Sequence, residues 1–226
     1  DTAWSWSSEG TGEFTLESSE REGRGTSLII HLKEEEKEYS DTWKIKSLVT
    51  KYSEYVTHPI ELSYMETTPA DEEKKTEETT ELKREILNEK PALWRRSKKE
   101  VTQEQYDEFY SHISHDYNKP LTQSHNKVEG ALEYSSLLFV PGKAPFDLYN
   151  QDSKSGLKLY VRRIFIMDEC KELVPSYLRF VKGVIDSEDL PLNVSREILQ
   201  SNKVVNNIKK HVTTKTLAML KDLAES

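Results

Sequence analysis

The sequence predicts a mixed α/β protein in two parts, a sheet-rich opening and a larger layered α/β unit. Three observations carry this. Short alternating apolar runs punctuated by glycines fill the first forty residues. Beyond residue 86, strand-like apolar runs interleave with segments of helical spacing. Between the two, over 66–85, almost nothing is available to bury.

Taken in order, Trp4 and Trp6 alternate with serines, Gly10-Thr11-Gly12 offers a turn, and Phe14-Thr15-Leu16 returns. A second turn, Gly23-Arg24-Gly25, leads into SLIIHL (27–32), expected to be a half-buried or buried strand of the same sheet. Past the charged run 33–38, Asp41 is a helix N-cap, and Ile45, Leu48, Val49, Tyr52 and Val56 form an apolar stripe. The helix should stop near His58, because the ring of Pro59 disfavours helical geometry in the residue before it. Ile60, Leu62 and Tyr64 alternate as a short strand. The charged stretch 66–85 cannot recover its ordering entropy by burial, so it reads as a mobile linker dividing domain 1–65 from domain 86–226.

The second part opens near Ile86 and Pro91-Ala92-Leu93-Trp94. Thr102 and Gln105 have capping-box spacing, with Val101 placed to staple against Tyr106. Phe109, Tyr110 and Ile113 continue the inner face of that helix. Strands are expected over 132–140, 157–166 and 180–185. Val205, Ile208, Val212, Leu220 and Leu223 define a long closing amphipathic helix.

The charge of −8, from 32 Lys and Arg against 40 Asp and Glu, gives no basic footprint and argues against nucleic-acid binding. No apolar run has the roughly 18 residues of a membrane span. Cys170 is the single cysteine, so an internal disulfide is impossible, and a reducing, cytoplasmic setting is expected. The start at Asp1, without an initiator Met or signal pattern, reads as a chain already under way, and the helical pattern still runs at Ser226.

Among candidate sites, His112, His115 and His125 lack the further ligands of a tetrahedral metal site, so no metal is expected there. Asn193-Val194-Ser195 has the form of a glycosylation acceptor and is read as incidental. Gly25 and Thr26 can approach a phosphate or a base, with a plain hairpin turn as the simpler reading. Phe146 and Leu148 lie among turn formers, either exposed to a partner or folded onto the core. In the acidic loop that follows Asp186, Ser195 can cap a turn that sets Arg196 and Gln200 on one face. A guanidinium there suits the oxygens of a transferring phosphoryl group, while pairing with Glu188, Asp189 or Glu197 is the structural alternative.

VIDSEDLPLNVSREILQ (184–200) resembles the signature of the middle domain of the heat-shock protein ninety family. KPALWRR (90–96), VEG (128–130), FVPGKAPFDLY (139–149), LYVRRIFIMD (159–168) and YLRFVKGV (177–184) match it in order. GRGTSLIIHLK (23–33) and KYSEYVTHPI (51–60) resemble the end of that family's ATP-binding domain, and FYSHISHD (109–116) favours its bacterial branch. The resemblance implies the closing part of a GHKL-type α/β sandwich followed by a layered α/β/α middle-domain segment. It implies an ATP-driven chaperone using ATP with Mg, with Gly25 and Thr26 on the nucleotide pocket's wall. Arg196 would reach the γ-phosphate, with Asn193 and Gln200 shaping its loop. Tyr117 (where the family usually carries Trp), Phe146 and Leu148 would contact unfolded client proteins. Cochaperones and a homodimer formed through a separate C-terminal domain are also implied. The family's catalytic Glu and ATP lid have no counterpart in this sequence, so by itself the chain is expected neither to hold nor to hydrolyse ATP.

Overall fold

The most deeply enclosed strand is Tyr134–Val140, in which every residue is buried. It is the second strand of a five-stranded sheet and belongs to a computed structural model describing residues 2–68, 79–130, 132–146, 148–150, 156–168, 170–190 and 203–225. In chain order the strands are β1 (Ala3–Ser7), β2 (Thr15–Ser19), β3 (Glu61–Thr68), β4 (Thr79–Ile86), β5 (Thr122–Val128), β6 (Tyr134–Val140), β7 (Gly156–Val161), β8 (Ile164–Met167) and β9 (Lys182–Ser187). The helices are α1 (Thr42–Ser53), α2 (Gln103–Ser114) and α3 (Lys203–Glu225). Contacts divide the chain into two units, Asp1–Ser40 and Asp41–Ser226.

In the larger unit the sheet order is β5-β6-β9-β7-β8, with β7 and β9 parallel and the other pairs antiparallel. Alternation sorts each strand's side chains onto two faces. Leu138, Val140, Leu159 and Ile185 point into a core closed by α3 and the short turns at Lys171–Leu173 and Ser176–Leu178. Leu137, Phe139, Tyr160 and Val184 point into the opposite core, closed by α2, Trp94 and Tyr55. Helices on both faces make the α/β/α layering that the sequence predicts. Covering both faces also explains why β6 reads as a continuous apolar run rather than an alternating one.

The helices follow their local signals. Asp41 caps α1 by accepting the Lys44 N–H at 2.8 Å, and α1 ends at Ser53, a few residues before the expected stop. At α2 the capping box is complete, with Thr102 and Gln105 each accepting the other's backbone N–H. Val101 and Tyr106 share the core beneath it. In α3, Val205, Ile208 and Val212 are buried as expected, but the inner face continues through Thr216 and Met219. Leu220 packs only at the margin.

Several sequence expectations are corrected. The apolar run 27–32 is not a strand: β1 pairs only with β2, and Leu28, Ile29 and Ile30 are exposed. The charged stretch 66–85 is not an unstructured linker where it is described, because β3 and β4 form an antiparallel ladder from Glu61↔Ile86 to Thr68↔Thr79. Opposite charges and threonines supply the cross-strand contacts that apolar residues lack, through Lys83–Glu66 and a 3.1 Å Thr67–Thr80 hydroxyl pair. Residues 41–65, read from the sequence as the end of domain 1–65, lie by contacts in the unit Asp41–Ser226. Asn88 fastens them by donating to the Val56 and His58 carbonyls and accepting the Ile60 N–H. The run 157–166 is two strands, turned at Arg162 and Arg163, both with positive φ. The polar strand β5 carries no apolar alternation that would have announced it.

Candidate functional site

The end of β9 is where the fold does its most elaborate polar work. Asp186 is completely buried, and its carboxylate accepts the Trp94 indole N–H at 2.9 Å and the Arg163 backbone N–H at 3.0 Å. Burial pushes its pKa up, while those two N–H groups and the Arg95 guanidinium pull the other way. Ser187 then accepts the N–H groups of Asp189 and Leu190 on its hydroxyl, turning the chain. Arg95 pairs with Glu188, Asp189 accepts the Glu133 N–H at 2.6 Å, and Leu190 is sunk in the core.

Residues 191–202 follow, and with them Asn193, Arg196 and Gln200, which lie outside the described residues. The far side of that segment is held as well, by Val205 and Ile208 at the start of α3. A cavity of about 450 Å³ lies against the near side, lined by Arg95, Lys127, Glu133, Arg162, Glu188 and Asp189. Among the described residues this is a polar site at the mouth of the sheet, suited to charged groups.

A second candidate surface is apolar. Phe146, Tyr149 and Tyr117 are almost wholly exposed, at 102%, 92% and 90%, and Leu121 is more than half exposed. Leu148 is half-buried, and its N–H donates to the Pro145 carbonyl in a turn. The two loops carrying these residues abut: the Leu121 N–H donates to Val140, and any side chain at Gly142 would strike the Lys119 carbonyl. Asp116 fixes the first loop by accepting from the Tyr110 hydroxyl and the Asn118 N–H. Sequence reasoning missed Tyr149 and Leu121, although Tyr149 stands inside the motif it singled out.

In the 1–40 unit, Gly25 has φ +137°, a conformation that other residues rarely adopt. Thr26 is exposed, and the Arg21 guanidinium, which donates to Ser27 at 3.0 Å, lies beside Gly25. Backbone open to close approach, a hydroxyl and a cation together fit a phosphate neighbour.

The histidines have local roles. His115 is the left-handed C-cap of α2, and His112 lies 3.3 Å from Glu54. Glu54 is buried, which alone would raise its pKa, yet His112 and Lys90 outweigh burial and hold it at about 2. His125 is buried between the Tyr106 hydroxyl, at 2.8 Å, and the Trp94 carbonyl, at 3.0 Å, and desolvation lowers its pKa. No cluster of three or more potential metal ligands occurs among the described residues. No helix among them is long and apolar enough to cross a membrane. Burial pushes the Cys170 thiol up to about 12, leaving it unreactive.

Known proteins resemble this chain. The Hsp90 protein family model matches residues 64–226. "Chaperone protein HtpG" of Pseudoalteromonas translucida (strain TAC 125) is 52% identical over 227 residues, covering 100% of this chain and 36% of that protein. The protein of the same name from Myxococcus xanthus (strain DK1622) is 52% identical, covering 99% of this chain and 34% of its own length. That of Vibrio cholerae serotype O1 (strain M66-2) is 51% identical, covering 98% and 34%. The chain thus spans about a third of the length of the curated relatives it matches.

Proposed function

The chain belongs to the Hsp90 protein family, and we propose that it is the segment of an ATP-driven molecular chaperone that supplies the phosphate-sensing arginine and part of the client-holding surface. The observation that carries the reading is identity of about half over the whole chain to proteins named as chaperones.

In this reading Arg196 delivers its guanidinium to the γ-phosphoryl group of ATP as charge develops there, and Asn193 and Gln200 shape its loop. The pinned chain at Ser187–Leu190 and at Val205 supports this, since a positioned charge needs fixed ends. Gly25 and Thr26 belong to the nucleotide pocket's wall, with ATP bound as its Mg complex. Unfolded clients are held by Phe146 and Tyr117, joined by Tyr149 and Leu121, whose exposed apolar area offers contact to any chain with apolar surface of its own. Leu148, half-buried in the turn beside Phe146, belongs to the same surface.

The test is steady-state turnover in the full-length protein. Arg196→Ala lowers kcat at least about tenfold, roughly 1.4 kcal/mol of transition-state stabilisation, with nucleotide affinity much less affected. Arg196→Lys recovers only part, because an ammonium keeps the charge and loses the planar fork. A folded Arg196→Ala protein with unchanged turnover would remove the assignment. Loss of light-scattering suppression in Phe146→Ser with Tyr117→Ser, at normal turnover, separates the client surface from the phosphate site.

A further inference from the structure

We propose that the cavity at the carboxyl ends of β7 and β9 is a binding site for a basic amino acid, a small molecule carrying one carboxylate and two cationic groups. The inference is independent of the readings of Arg196 and of the client surface.

The cavity lies where the two parallel strands end, at Val161 and Ser187, a place where helix-covered sheets commonly take ligands. Its volume of about 450 Å³ suits a small molecule, and every lining residue belongs to the larger unit. One lining group is an anomaly. Ser135 is completely buried in β6, and its hydroxyl has no hydrogen-bond partner. Buried polar groups are almost always paired, so an unpaired hydroxyl in a cavity wall calls for a partner from outside the chain. Asp186, opposite Ser135 on β9, takes its hydrogen bonds from the Trp94 indole and the Arg163 N–H instead.

Charge decides what that partner is. Arg95, Lys127 and Arg162 line the cavity together with the carboxylates of Glu129, Glu133, Glu188 and Asp189. Two pairs cancel within the wall, Arg95 with Glu188 and Lys127 with Glu129. One guanidinium, Arg162, and two carboxylates, Glu133 and Asp189, are left without an ion-pair partner among the described residues. Arg162 is fixed at the rim by its turn. At φ 50° it donates its backbone N–H to the Ser187 carbonyl at 3.1 Å and its Nε–H to the Glu188 carbonyl at 3.3 Å, so that its terminal amino groups are left for a ligand. Asp189 is brought to Glu133 by accepting the Glu133 N–H at 2.6 Å.

A ligand complementary to this set offers a carboxylate to the Arg162 fork and the Ser135 hydroxyl, and cationic groups to Glu133 and Asp189. Inorganic phosphate would meet two uncompensated carboxylates, and a bare metal cation would meet the guanidinium, so each matches only half of the wall.

The experiment is calorimetric titration of the full-length protein with L-lysine. Acetate and n-butylammonium serve as probes of one charge each, all at matched ionic strength. L-Lysine should bind saturably with a Kd on the order of 1 mM, and each single-charge probe at least about tenfold more weakly. Ser135→Ala should weaken L-lysine about tenfold without lowering the melting temperature, because the hydroxyl it removes bonds to nothing in the chain. Arg162→Gln should weaken it at least about tenfold and Glu133→Gln about threefold. Both of these side chains are exposed, so folding should not suffer. Absence of saturable L-lysine binding up to about 50 mM, or an affinity that Ser135→Ala and Arg162→Gln leave unchanged, overturns the proposal. So does a lower melting temperature in Ser135→Ala at unchanged affinity, which would mean that an ordered water completes the hydroxyl.

Discussion

Trp6 and Trp94 are the same residue in two kinds of surroundings. Trp6, in the β1–β2 hairpin, is 60% exposed and meets one ring, that of Phe14, at 6.3 Å. Trp94 is 1% exposed, is touched by Tyr55, Phe109 and Tyr160, and has its indole N–H satisfied by Asp186. Among the described residues the hairpin is a two-stranded sheet with no layer over either face in its own unit, whereas the five-stranded sheet is covered on both. Aromatic content therefore does not make a core; a second layer does.

The sharpest way to break this comparison is to truncate both rings. Trp94→Ala should cost about 3–5 kcal/mol and take from Asp186 one of its two N–H donors, while Trp6→Ala should cost no more than about 0.5 kcal/mol. Urea unfolding of the chain followed by far-ultraviolet circular dichroism measures both, and comparable losses would mean that the hairpin is buried in solution.

Next in size is the buried carboxylate behind α1. Glu54→Gln should cost about 1–2 kcal/mol, discounted because Lys90 and His112 are themselves well exposed. Its carboxyl, at about 2, lies below the unfolded value of about 4.3, so its contribution is present above pH 4.3 and is lost as pH falls towards 2. Acid titration of thermal stability should show a shallower decline over that range in Glu54→Gln.

His125 titrates with the opposite cause. Burial lowers its pKa, so the folded state resists a proton that the unfolded state accepts below about pH 6.5. Stability is whole above that pH and declines beneath it, by at most about 1.4 kcal/mol per pH unit from this one group. In His125→Gln the slope between pH 6.5 and 5 should flatten, and an unaltered slope would mean that the ring is hydrated. Smallest of all, Ile29→Ser should change the stability of the chain by no more than about 0.5 kcal/mol, since its side chain is 81% exposed. A larger loss would place residues 27–32 in a core after all.

Much of this molecule follows from neighbours within a turn or two along the chain. The Thr102–Gln105 capping box, the Asp41 cap and the buried positions Val205, Ile208 and Val212 depend on groups three or four residues apart, so the sequence alone determined them. The family resemblance likewise brought forward Arg196, Phe146 and Tyr117 as candidates.

Tertiary structure decided what is covered and what is paired at a distance. Residues 27–32 have strand composition and are exposed, while the charged flanks of 66–85 pair as strands because β3 and β4 offer each other complementary rungs. Leu148 is half-buried while Phe146, two positions earlier, is exposed. The anchoring of 186–188 by Trp94, Arg95, Arg162 and Arg163 left no trace in local pattern, because its partners are 23 to 93 residues apart. Caps and helical stripes are settled by backbone groups that no fold can move apart. Burial and long-range hydrogen bonds exist only once separate segments have stacked into layers.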